Sequence, residues 1–234
     1  MDPGDILGRT WELYRAHVRQ LVTIAAVVYV PLGALTGVLT LAGWPGIVVA
    51  NVLNTAALFL VQGAVVTTVA RLRDGREELG VAATLTTAGR RLVPVAVAGV
   101  LATLGILLGL LLLILPGLVL LTWWLVICPV IILEGATLQA SFGRSRTLVQ
   151  GTAWPVFGVV VLTLLALVAL GLVVGLALTP LAEGLRGFLV IAIGSSLAAP
   201  FAGVAWTLTY FRLREIEGTR AADTAPVPGY TPAP

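Results

Sequence analysis

Side chains able to act on a ligand are few in this chain, and they fall in three places. Asn51, Asn54, Thr55 and Gln62 lie within about 100° of arc when the stretch 47–70 is wound at helical pitch. Amides and hydroxyls on one face of an apolar helix either bond across to neighbouring helices, at roughly 0.6–2 kcal/mol each, or line a polar path for a substrate. Arg90, Arg91, Arg144 and Arg146 stand beside apolar runs. Guanidinium groups there bind lipid phosphates through charge-assisted hydrogen bonds, or serve only to anchor a helix and set its topology. Glu134 ends an apolar run, where a carboxylate either pairs with one of these arginines or is solvated.

Covalent and metal chemistry have little to work with. One His and one Cys leave no disulfide framework and exclude most metal-ligand sets. His17 falls on the apolar side of its helix, which points to packing rather than base catalysis. The sequence holds no Ser-His-Asp set, carboxylate pair, phosphate-cradling glycine loop or metal motif. No catalytic residue, metal or cofactor is expected, and the chain reads as non-enzymatic. No charge falls in the middle of an apolar run, which weighs against proton relays, voltage sensors and many ion-coupled carriers.

The elements that must carry these groups are membrane helices. Hydrophobic residues make up 59% of 234 positions and charged residues 11%, with a mean hydropathy of +1.04. One soluble core cannot hide that much apolar surface. The net charge of +3 comes from arginines in short clusters beside apolar runs, a membrane pattern rather than a nucleic-acid one. The first apolar run, about 21–44, is too long for a cleavable signal, and no small-x-small site follows it.

Six spans are expected, at about 21–41, 47–70, 92–115, 117–133, 154–178 and 187–211. The charge-free stretch from Leu92 to Leu133 is about twice the ~20 residues one crossing needs, so it is read as a hairpin turned at Pro116-Gly117. Three amphipathic segments, 3–20, 81–92 and 137–150, each precede a pair of spans and suit the headgroup layer. In the first, Ile6, Thr10, Trp11 and Tyr14 share one side while Arg9, Glu12 and Arg15 share the other. The order helix, span, turn, span thus recurs three times, as a repeat of hydropathy and Arg placement. Gly33/Gly37, Gly105/Gly109 and Gly171/Gly175 offer close helix approaches. Residues 219–234 read as a disordered Pro-rich tail. Thirteen arginines fall on the side of the termini and only Arg186 on the other, which puts both termini in the cytoplasm of a cell whose cytoplasmic membrane the chain crosses.

A particular set of these residues resembles a known pattern. Pro116-Gly117, Pro129, Leu133-Glu134-Gly135, Arg144-Ser145, Gly151 and Trp154, with Tyr210, Phe211, Leu213 and Arg214 at the end of span six, are similar to the bacterial membrane domain attached to some glycerophosphoryl diester phosphodiesterases, and to its uncharacterised stand-alone relatives. The resemblance covers about residues 3–218. It departs at Trp123, where the family often carries an Arg within the span, and at Thr147 and Gln150, where the family is richer in Arg. It implies an all-helical membrane module and no activity, since the diesterase chemistry belongs to a separate soluble barrel. Two functions fit: a scaffold or module that binds membrane lipids, a second copy or another protein; or a carrier or flippase for a lipid-like or neutral substrate.

Overall fold

The computed structural model of the chain describes residues 1–77, 79–180 and 188–223. Among them the fold is all helical, and six stretches are long and apolar enough to cross a membrane. The helices are α1 (Pro3–Ala16), α2 (Val18–Thr40), α3 (Trp44–Arg73), α4 (Val81–Gly89), α5 (Leu92–Leu112), α6 (Ile114–Trp123), α7 (Ile127–Leu133), α8 (Leu138–Val149), α9 (Ala153–Ala177) and α10 (Ser195–Asp223). A π-helical turn, Val190–Gly194, leads into α10. The spans are α2, α3, α5, α6 with α7, α9 and α10.

Proline sets where several of these helices begin. Pro94, Pro116, Pro129 and Pro155 are each the third residue of their helix. The first N–H groups of a helix have no acceptor within it, so a proline there loses no bond and pre-sets φ. The hairpin 92–133 therefore reverses at the extended residue Leu113 (φ −160°, ψ 137°), three residues before the expected Pro116-Gly117 turn. Pro129 likewise breaks the fourth span. It has no N–H to offer the Leu125 carbonyl, so α6 stops at Trp123 and α7 starts at Ile127.

Short helices precede α2, α5 and α9, and the residue before each of these spans is bent alike: His17 (φ −117°, ψ 21°), Arg91 (φ −111°, ψ 8°) and Thr152 (φ −133°, ψ 19°). Helix α10 is longer than expected. It stays helical through Asp223, so residues 219–223 of the expected tail are ordered helix. The remainder of that tail, and Glu183 and Arg186, lie outside the described residues.

Helices α3 and α10 form the middle of the bundle. Helix α2 pairs with α3, the α5–α6 hairpin packs on itself, and α1 lies against α9 and α10. The central crossing is close: a β-carbon on Gly203 would sit 2.9 Å from Val65 Cγ1. Gly105 makes room for the Trp124 ring, and Gly109 for the backbone of Gly117. Gly33 faces Phe188, whereas Gly171 and Gly175 meet none of the described residues within 4 Å.

The packed core is not centred along the spans. The largest fully buried side chains include Leu21, Val65, Val69, Val130, Val149 and Leu213, all toward the end where the charges gather. At the other end Leu41 is 86% exposed and Leu111 82%.

Candidate functional site

The charged end is where polar side chains meet, and local sequence explains why they arrive there. Helix α7 closes at Glu134 and is followed by Gly135 at φ +66°, the left-handed position that ends helices and that only glycine takes without strain. Thr137 then caps α8 by accepting from the Ala140 N–H. On α8, Arg144 turns back toward Glu134, while Ser145 is fully buried and donates to the Trp123 carbonyl at 2.6 Å. That bond satisfies an acceptor left over by the Pro129 break.

Arg144 is the hub. Its Nε donates to Glu134 at 2.9 Å and its Nη2 to Glu217 at 2.8 Å, with Nη1 also on Glu217. Tyr210 donates to Glu134 Oε1 at 2.9 Å. Arg214 Nη1 completes the group, 3.4 Å from Glu217 and 3.6 Å from Glu134. Two guanidinium groups thus face two carboxylates, with formal charges balanced. The hydrogen bonds to Glu217, then those to Glu134, push the Arg144 pKa above its usual value, so its charge is permanent. Only a quarter of the Arg144 side chain is exposed, which raises the cost of breaking the pairs. Glu134 and Arg144 from one stretch and Tyr210, Arg214 and Glu217 from a distant one meet here.

The expected lipid contacts separate into different settings. Arg144 is committed to carboxylates. Arg146 stacks on Trp123, 4.3 Å from the ring centroid. Arg90 and Arg91, at the α4–α5 bend, are exposed and form no ion pair with a described carboxylate. Arg220 donates to the Gln150 carbonyl beside Gly151, whose lack of a β-carbon leaves room for the guanidinium.

The four polar residues of α3 do not act as one face. Asn51, Asn54 and Thr55 bond back to carbonyls of their own helix, Ile47, Ala50 and Asn51 respectively. Asn51 and Thr55 border an open, largely apolar groove of about 490 Å³ against α5. Gln62 is buried in the core, away from that groove. His17, at the α1–α2 bend, has Nδ1 3.2 Å from the Leu13 carbonyl.

Two cavities flank α1. One, of about 600 Å³, is apolar and lies between α1, α9 and α10, lined by Leu7, Trp11, Leu167, Leu170 and Phe201. The other, of about 470 Å³, lies between α1, α3 and the start of the polar part of α10, with Arg9, Arg73 and Arg212 at its edge. A signal for the second existed. Arg212 and Glu215, like Arg214 and Glu217, are spaced i,i+3, a helical pairing that marks α10 as continuing past the apolar run. No protein-family model, curated protein or solved structure matches this chain.

Proposed function

We propose that this chain is a non-enzymatic lipid-binding module of the cytoplasmic membrane, with both termini cytoplasmic, serving as a scaffold for partners rather than as a catalyst. The observation that carries the reading is the apolar cavity under α1. A lateral groove of about 600 Å³ is walled mostly by leucine and aromatic side chains, and the Tyr14 hydroxyl in its wall is spent on the Leu197 carbonyl, which leaves little to hold water. In a bilayer the apolar phase that fills it is an acyl chain. Arg90, Arg91 and the outer edge of Arg146 stand at the charged end, where anionic lipid collects on a cytoplasmic leaflet. The resemblance to a domain fused to a soluble enzyme in some relatives supports the scaffold role.

Gly8 lines the cavity, and a β-carbon there meets nothing within 4 Å. Gly8→Phe fills the groove without displacing the fold. Native mass spectrometry of the purified protein is expected to show bound lipid in the parent and several-fold less in Gly8→Phe. Equal retention would remove the groove as a lipid site. The orientation follows from the arginine count. Arg76→Cys on a Cys128→Ser background is expected to resist an impermeant thiol reagent added to intact cells. Labelling from outside would invert the topology.

A further inference from the structure

The second cavity beside α1 has a composition that the first lacks. Its floor is apolar, with Ile6, Val69, Leu72 and Leu208, while its edge carries Arg9, Arg73 and Arg212 with Asp5 and Glu215. Three cations stand against two carboxylates. Glu215 holds Arg73 on one oxygen and Arg212 on the other, the latter at 2.9 Å. A single carboxylate thus pins two guanidinium groups side by side, and each spends one N–H on it among the described residues. An arginine has five such donors. Arg73 is also stacked over Phe211, 4.3 Å from the ring centroid, so its fork is oriented before any ligand arrives. Among the described residues Arg9 is engaged only by Asp5 on its own helix, at 3.3 Å, with both side chains more than half exposed.

We propose that α1, α3 and α10 form a binding site for the phosphate of an anionic membrane phospholipid, gripped by Arg73 and Arg212 with Arg9 closing the outer side. The proposal rests on the lipid-binding reading and names the headgroup class and its residues. One surplus positive charge matches the single negative charge of a phosphodiester. Paired N–H donors match its oxygens. The apolar floor, next to the ends of two spans, suits the glycerol backbone and the first methylenes of the chains. It does not suit a free phosphate ion, which would gain nothing from Val69 or Leu208.

The test is native mass spectrometry of the full chain with phosphatidylglycerol, with zwitterionic phosphatidylcholine, and with inorganic phosphate. The parent is expected to prefer phosphatidylglycerol and to ignore inorganic phosphate. Arg73→Gln/Arg212→Gln should lower phosphatidylglycerol binding about thirtyfold, two lost charges at a lipid surface. Arg15→Gln/Arg76→Gln, which removes equal charge elsewhere, should change it less than about twofold. Glu215→Gln separates binding from folding. It frees both arginines of their competitor, so affinity should rise, whereas a purely structural Glu215 would make affinity fall. A parent that holds no lipid defeats the lipid-binding reading itself. A parent that holds lipid equally well without Arg73 and Arg212, or prefers phosphatidylcholine, defeats this site alone. Binding of inorganic phosphate as tight as that of the lipid would replace the phospholipid with a soluble ligand.

Discussion

The two ends of this bundle are built on opposite plans. At the charged end, buried valines of α3 pack with Val204 of α10, those of α7 and α8 pack with one another, and Glu134, Arg144, Tyr210, Arg214 and Glu217 tie α7, α8 and α10 together. At the other end, Leu41, Leu111 and Leu115 are each at least 74% exposed, and Gly171 and Gly175 have no neighbour within 4 Å of a β-carbon among the described residues. Leucine against lipid gains little over leucine against leucine, so apolar composition alone does not hold membrane helices together. Close packing and satisfied polar contacts do, and these are concentrated at one end. The fold is therefore specified at the charged end, and the lipid supplies the rest.

The comparison breaks most readily at Arg144. Arg144→Ala leaves Glu134 and Glu217 as partly buried carboxylates without their main partner, with only Arg214 and Tyr210 remaining. A loss of about 3 kcal/mol is expected, at the low end for stripping one member from a buried ion pair. Thermal unfolding in detergent reads it. Arg144→Lys should recover only part, because an ammonium cannot fork two carboxylates at once. A loss below about 1 kcal/mol would put the cluster among ordinary surface pairs and remove the distinction between the ends.

Much of this was legible in the sequence, for identifiable reasons. Hydropathy over windows of about 20 residues shows six spans because the bilayer imposes that length. The short helices α1, α4 and α8 fall within the segments 3–20, 81–92 and 137–150 that the sequence set apart from the apolar runs. The hairpin turn was misplaced because Pro-Gly has two meanings: a turn, or the first turn of a new helix. In an apolar setting, with no residue able to cap, the second holds, and the reversal falls on Leu113. Glu134 was visible as a lone charge at the end of a span, but Tyr210 lies 76 residues away and Glu217 stands 73 from Arg144. No local pattern encodes such meetings. Nor could local pattern show that Arg9, Arg73 and Arg212, on three helices, share one cavity. The stripe on α3 misled in the other direction. Helical spacing put Asn51 and Gln62 on one side, but Asn51 borders the open groove against α5 while Gln62 is buried in the core.

A smaller effect sharpens the same contrast using one substitution type at two glycines. Gly203 lies where α10 crosses α3, and a β-carbon there would meet Val65 at 2.9 Å and 3.1 Å. Val65 is fully buried, with no room to turn aside. Gly203→Val must therefore push the two central helices apart, at an expected cost of about 2 kcal/mol. Gly175→Val adds the same atoms to α9 at the other end, where no described residue stands within 4 Å. There the side chain projects into lipid, and the slightly better helix propensity of valine over glycine acts alone, so the change should stay within about 0.5 kcal/mol of zero. Parallel melts of the two variants give the answer. If Gly175→Val matched Gly203→Val, the exposed end would have to be packed against something other than lipid. A second copy of the chain is the simplest candidate, which cross-linking of a Gly175→Cys variant on the Cys128→Ser background would reveal.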